Sequence, residues 1–248
     1  MDFQQCKDPR VDVLLPDHLD PQKKYPVLYI LPMEADNGSG FGNGLVEAKK
    51  ADVANKYDMI CVYPSFTTVP WYGNHATDPT IRQEDYVLKA LIPFIDSKYP
   101  TRRDKEGRWL IGFSKSAWGA YTLVFRHPNV FGYAAGWDAP FALNGDNSGK
   151  NWGPMGLSNI FGTKENMELS LPTKLAAENA SWLKQRCRLV LGVGSYWKPQ
   201  VEQMHNLLQA LGIPHEYRSD LAFPHRWNTG WFAPMVEELV KIARTPQI

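Results

Sequence analysis

Residues 108–127 read RWLIGFSKSAWGAYTLVFRH, and this stretch decides the fold. Arg108–Phe113 is a short apolar run, the pattern of a strand buried on both faces. From Lys115 to His127 the spacing becomes helical. Between the two stands Ser114, with Gly112 before it and Ser116, Ala117, Gly119 and Ala120 after it. A serine on so tight a strand-to-helix turn is a candidate nucleophile, because small neighbours let the strained turn pass close to the helix. The helix N-terminus also offers amide groups to a developing oxyanion. The other reading of Ser114 is an ordinary helix N-cap.

Working outward, strand candidates occur at 10–16, 25–31, 59–64, 131–137, 188–194 and 215–219. Helical patterns lie between them at 45–57, 80–98, 173–185, 199–211 and 231–244. Val201, Met204, Leu207, Leu208 and Leu211 share one helical face, and Gly212 supplies a stop. This alternation predicts an α/β protein with a mostly parallel central sheet and helices on both faces. The first two runs, separated by a turn around Pro16–Lys24, are expected as an antiparallel hairpin at the edge. Residues 139–172, rich in Gly, Asn and Pro, form the one long irregular stretch and read as an insertion that covers the site. No linker or internal repeat divides the chain, so a single domain over 1–248 is expected.

Composition narrows the function. The 248 residues carry a net charge of +1 and 44% apolar side chains, enough for a large core and too balanced for a nucleic-acid binder. No apolar run has the length to span a membrane. Met1–Arg10 is polar and lacks the apolar centre of a secretory signal, which implies a cytoplasmic protein, or a secreted one if the chain is a trimmed mature form. Cys6, Cys61 and Cys187 are too far apart for a metal pair or a disulfide framework, and Cys61 and Cys187 read as small core residues. The six histidines make no zinc-binding pattern. Arg82, Glu84, Asp85 and Lys89 read as a solvated face. No metal and no cofactor is expected.

In sheets of this class the chemistry sits at the carboxyl ends of the strands, here just after residues 31, 64, 113, 137, 194 and 219. His225, in Phe223-Pro224-His225-Arg226-Trp227, lies just beyond the last strand candidate and is the candidate general base. His205 lies within a helical pattern, His215 begins a strand, and His18, His75 and His127 precede or closely follow the serine.

With these residues in place the chain resembles the putative-esterase family of the α/β-hydrolase fold, which includes esterase D, feruloyl-esterase-like domains and mycolyltransferases. The matching pieces are Tyr25–Leu31, the turn at 112–120, Leu211–Tyr217 and the His225 loop, and together they span roughly residues 25–232. The resemblance implies a serine carboxylic-ester hydrolase that works through an acyl-enzyme on a small acyl or aromatic-acid ester, including esters of carbohydrates. Three departures stand out. The usual Gly-x-Ser-x-Gly ends in Ser116. The first run is followed by Pro32-Met33-Glu34 where relatives have His-Gly or Asp-Gly, so the oxyanion hole falls to the backbone amides of Glu34 and Lys115, with the Glu34 carboxylate a hazard unless it turns away. Relatives place the triad acid in the loop after the strand equivalent to 188–194, but Gly194–Pro199 holds no carboxylate. Asp138 ends the preceding strand at the same sheet edge and is the preferred acid, with Glu202 and Asp220 as alternatives. An inactive hydrolase-fold binding protein and an acyltransferase using the same residues are the other readings that these departures leave open.

The chain has nine tryptophans, eleven tyrosines and eleven phenylalanines. Trp71, Trp118, Trp137, Trp152, Trp197 and Trp227 fall at or beside the catalytic edge, so the aromatics are expected to line the ester cleft, with Trp71, Tyr72, Trp137, Trp197 and Trp227 touching substrate. The glycines of 38–44 recur at every second position, which is not a dinucleotide fingerprint; this loop reads as a flexible neighbour of the oxyanion hole. The expected partner is a small-molecule ester, with no nucleic acid and no membrane insertion.

Overall fold

The computed structural model describes residues 10–36, 38–141 and 155–246. Its short apolar runs become seven strands: β1 Val11–Leu14, β2 Val27–Ile30, β3 Ile60–Pro64, β4 Arg108–Phe113, β5 Tyr133–Trp137, β6 Leu189–Gly192 and β7 Glu216–Arg218. They form one sheet in the order β1-β3-β2-β4-β5-β6-β7, and every pairing except β1 with β3 is parallel. Strands β2 to β6 are buried along their whole length, as the continuous apolar runs require.

The helices are α1 Gly44–Lys50, α2 Val53–Tyr57, α3 Gln83–Tyr86, α4 Ile92–Lys98, α5 Lys115–Arg126, α6 Leu157–Phe161, α7 Lys164–Glu168, α8 Pro172–Glu178, α9 Ala180–Leu183, α10 Lys198–Ala210 and α11 Phe232–Arg244. The strand pleat sorts side chains into two cores. Val27, Tyr29, Val62 and Leu110 pack with α5, α8 and α10 on one face. Leu28, Ile30, Cys61, Ile111 and Trp137 pack with α1 and α11 on the other. Cys61 is wholly buried, which pushes its thiol up to about 12.

Several sequence expectations are corrected. The first two runs do not form a hairpin: β1 pairs antiparallel with β3, from Val11 opposite Pro64 to Leu14 opposite Cys61. Strand β2 is apolar on both faces and belongs between β3 and β4, whereas half-buried β1 suits an edge. The 45–57 helix breaks at Asp52, which has φ 50°. The 80–98 helix contains a π turn at Val87–Leu91; Pro93 just beyond it has no N–H to return to the Lys89 carbonyl. Glu84 is not solvated: it is buried and pairs with Arg126 and His127. Within 139–172, residues 155–172 are not irregular, since α6, α7 and the start of α8 lie there. Residues 142–154, including Trp152, lie outside the described residues.

Candidate active site

Strand β4 ends at Phe113 and α5 begins at Lys115, leaving Ser114 alone to make the reversal at φ 55° and ψ −122°. That left-handed conformation is costly for serine and must be imposed by its surroundings. A Cβ on Gly112 would lie 2.2 Å from the Ser116 carbonyl oxygen, and one on Gly136 would lie 2.6 Å from Ala117 Cβ. Ser116 gives the turn a clasp that glycine would lack. Its buried hydroxyl accepts from the Phe113 N–H at 2.9 Å and donates to the Phe113 carbonyl at 2.9 Å. Ser114 stands at the N-cap of α5, yet its hydroxyl makes no capping hydrogen bond.

The His225 loop is fixed from several sides. Trp231 Nε1 donates to the Phe223 and Pro224 carbonyls, Thr229 Oγ1 donates to the Pro224 carbonyl, and the Trp227 N–H donates to the Phe41 carbonyl at 2.8 Å. The imidazole rests on the Phe113 ring, with centroids 4.5 Å apart, one residue before Ser114. His225 Nδ1 is 2.5 Å from Asp138 Oδ2.

Asp138 follows β5 directly, at φ 51°, and is completely buried. A buried carboxylate needs donors. Besides His225, it receives the Trp197 N–H at 2.6 Å and the Tyr196 N–H at 3.2 Å. Gly194 makes room for it: a Cβ there would lie 2.3 Å from Asp138 Cγ. The loop without a carboxylate therefore contributes two amides to a carboxylate one strand away. The alternatives lie elsewhere, with Glu202 beside Lys198 and Asp220 bound through both oxygens to Arg218.

Among the described residues the backbone amides of Glu34 and Lys115 donate to no backbone group. The Glu34 carboxylate is turned onto the neighbouring loop, where Oε2 accepts from the Phe41 N–H at 3.1 Å. Gly38 and Gly40 are glycine for this reason, since a Cβ on either would come within 2.9 Å of the Glu34 side chain. Burial pushes the Lys115 ammonium below its ordinary range, and the Glu34 carboxylate partly offsets that. The Tyr72 hydroxyl donates to the Pro32 carbonyl at 2.6 Å, which anchors the segment leading into Glu34.

The aromatic wall is largely a foundation. Trp71, Tyr72, Trp118, Trp137 and Trp227 are all 0–1% exposed and pack beneath the strand ends in this structure. Trp71 packs edge-on against Trp118 at 5.5 Å, over α6 and α7. Trp137 stacks between Phe113 and Trp231, with Trp227 edge-on at 5.0 Å. Of the five aromatics expected to touch substrate, Trp197 alone is half-buried. The rings that contact His225 from solvent are Phe41 and Tyr196, which the sequence reading passed over. Tyr196 carried a signal, since it follows a strand end. Phe41 carried only its position between glycines.

The family model for Esterase, described as Putative esterase, matches residues 6–242. The esterase Rv1288 of Mycobacterium tuberculosis H37Rv is 26% identical over 148 residues, covering 56% of this chain and 31% of that protein. The chain thus spans about a third of the length of the curated relatives it matches. A ferulic acid esterase structure superposes with a TM-score of 0.70 at 20% identity, over 95% of this chain and 92% of that one. An S-formylglutathione hydrolase from Agrobacterium tumefaciens gives 0.71 at 13% identity, over 94% and 89%. These likenesses establish the α/β-hydrolase fold.

Proposed function

Because the chain belongs to the Putative esterase family, we propose that it is a serine carboxylic-ester hydrolase with Ser114 as nucleophile, His225 as base and Asp138 as acid. The observation that carries this reading is the 2.5 Å Asp138–His225 hydrogen bond at the strand edge that also presents the Ser114 turn. Nδ1 faces Asp138, so Nε2 is the nitrogen left to take the serine proton. Ser114 Oγ attacks the ester carbonyl as its proton passes to His225 Nε2. Asp138 stabilises the imidazolium. The amides of Glu34 and Lys115 receive the oxyanion. Collapse breaks the bond to the alcohol oxygen, which leaves with the proton from His225. Water, deprotonated by the same nitrogen, then releases the acid and restores Ser114.

The substrate class that the family suggests is a small acyl or aromatic-acid ester, including esters of carbohydrates. The test pairs a fluorophosphonate probe with a short-chain aryl ester. The expected result is a covalent label on Ser114 and turnover, both abolished by Ser114→Ala. Folded protein that neither labels nor turns over overturns the assignment.

A further inference from the structure

Three rings surround the His225 imidazole. Phe113 is buried against it. Tyr196 lies 4.8 Å away with 32° between the planes, and Phe41 meets it edge-on at 6.1 Å and 89°. Tyr196 is 67% exposed and Phe41 38%, which makes them two of the five large apolar side chains most open to solvent among the described residues. Neither ring hangs free on its backbone. The Phe41 N–H is bonded to Glu34, its carbonyl to the Trp227 N–H, and the Arg226 guanidinium sits over its ring at 5.9 Å. The Tyr196 amide is bonded to Asp138. Apolar rings held in water beside a candidate base form a contact surface for a ligand.

The position of the rings says which half of the ligand they meet. In the reaction proposed above, on which this inference rests, His225 hands its proton to the departing alcohol oxygen. The alcohol half must therefore pass the groups around the imidazole. We propose that Phe41 and Tyr196 bind the alcohol half of the ester and select alcohols carrying a ring, whose flat apolar face lies on theirs. Each ring contact of this kind contributes roughly 0.5–1.5 kcal/mol, about 2- to 10-fold in rate at subsaturating substrate.

The test holds the acyl group constant as butanoate and varies the alcohol among ethanol, benzyl alcohol and the primary hydroxyl of methyl glucoside. The quantity read is kcat/KM for each ring-bearing ester divided by that for the ethyl ester, because damage to steps common to all esters cancels in this ratio. The wild-type protein is expected to favour at least one ring alcohol by about tenfold. The benzyl and glucosyl arms then tell an aromatic ring from a sugar ring. Phe41→Ala and Tyr196→Ala should each lower the preferred ratio by roughly 3-fold, while Phe94→Ala, an exposed ring on α4, should leave it unchanged. Equal rates for the three esters in wild type, or a ratio that survives both substitutions, overturn the alcohol surface but not the esterase. Hydrolysis of none of the three, with no fluorophosphonate label, overturns the esterase reading and this inference with it.

Discussion

Two histidines in this molecule make side-chain hydrogen bonds of similar length to chemically different partners. At the candidate active site His225 Nδ1 is 2.5 Å from the buried Asp138 carboxylate. Between α10 and β7, His205 Nδ1 is 2.8 Å from His215 Nε2, while His215 Nδ1 bonds the Ile213 carbonyl. A carboxylate partner favours the imidazolium that proton transfer creates. An imidazole partner opposes it, and His205 and His215 are both held below their ordinary range, first by burial and, for His205, also by the charge of its neighbour. His215 feels Glu216 in the opposite sense, and His205 stacks on the Tyr217 ring at 3.7 Å.

Asp138→Asn breaks the comparison most directly. It should lower kcat on an aryl ester by about 10⁴-fold, by analogy with other triads, whereas His205→Gln should leave kcat unaffected. A loss below tenfold in Asp138→Asn would erase the distinction between the two pairs.

Gly194→Ala tests whether the carboxylate must sit where it does, because the added Cβ would meet Asp138 Cγ at 2.3 Å. A displacement of that order is expected to cost on the order of 10²-fold in kcat, with the circular dichroism spectrum retained.

Ser116→Ala sharpens the comparison from the side of the Ser114 turn. It strips both hydrogen bonds from Phe113 and should cost about 1–3 kcal/mol of stability, read as a fall in urea midpoint.

The smallest effect is the pH dependence of the second pair. Between the lowered folded values of His205 and His215 and their ordinary 6.5, the unfolded chain binds more protons than the folded one. Their contribution to stability therefore weakens as pH drops below about 6.5 and returns as pH rises through that window. Replacing both by glutamine should flatten the urea midpoint measured across it.

Much of the candidate site was legible before the chain was folded, because its signals are local or tied to a strand end. The small residues flanking Ser114 announce a tight turn. Asp138 stands where the edge rule puts a functional side chain, and the structure sets it against His225. Other features depend on which side of the sheet a residue faces. Trp137 and Trp227 stand near the catalytic edge in sequence, but both turn into the core beneath Phe113. Strand pairing was equally hidden. Val11–Leu14 and Val27–Ile30 are neighbours along the chain, and their separation by β3 follows from β2 being apolar on both faces.

By itself the sequence determined the alternation of strands and helices, the position of the Ser114 turn and the chain order of the candidates Ser114, Asp138 and His225. These depend on spacing along a few consecutive residues, and backbone geometry reads such spacing directly. Only the tertiary structure decided that Ser116 clasps the turn, that Gly194 and two backbone amides seat Asp138, that the Glu34 carboxylate turns onto the Phe41 amide, and that Phe41 and Tyr196 flank His225. Each of these joins segments far apart in the chain or depends on a side chain's direction, and packing rather than local pattern sets both.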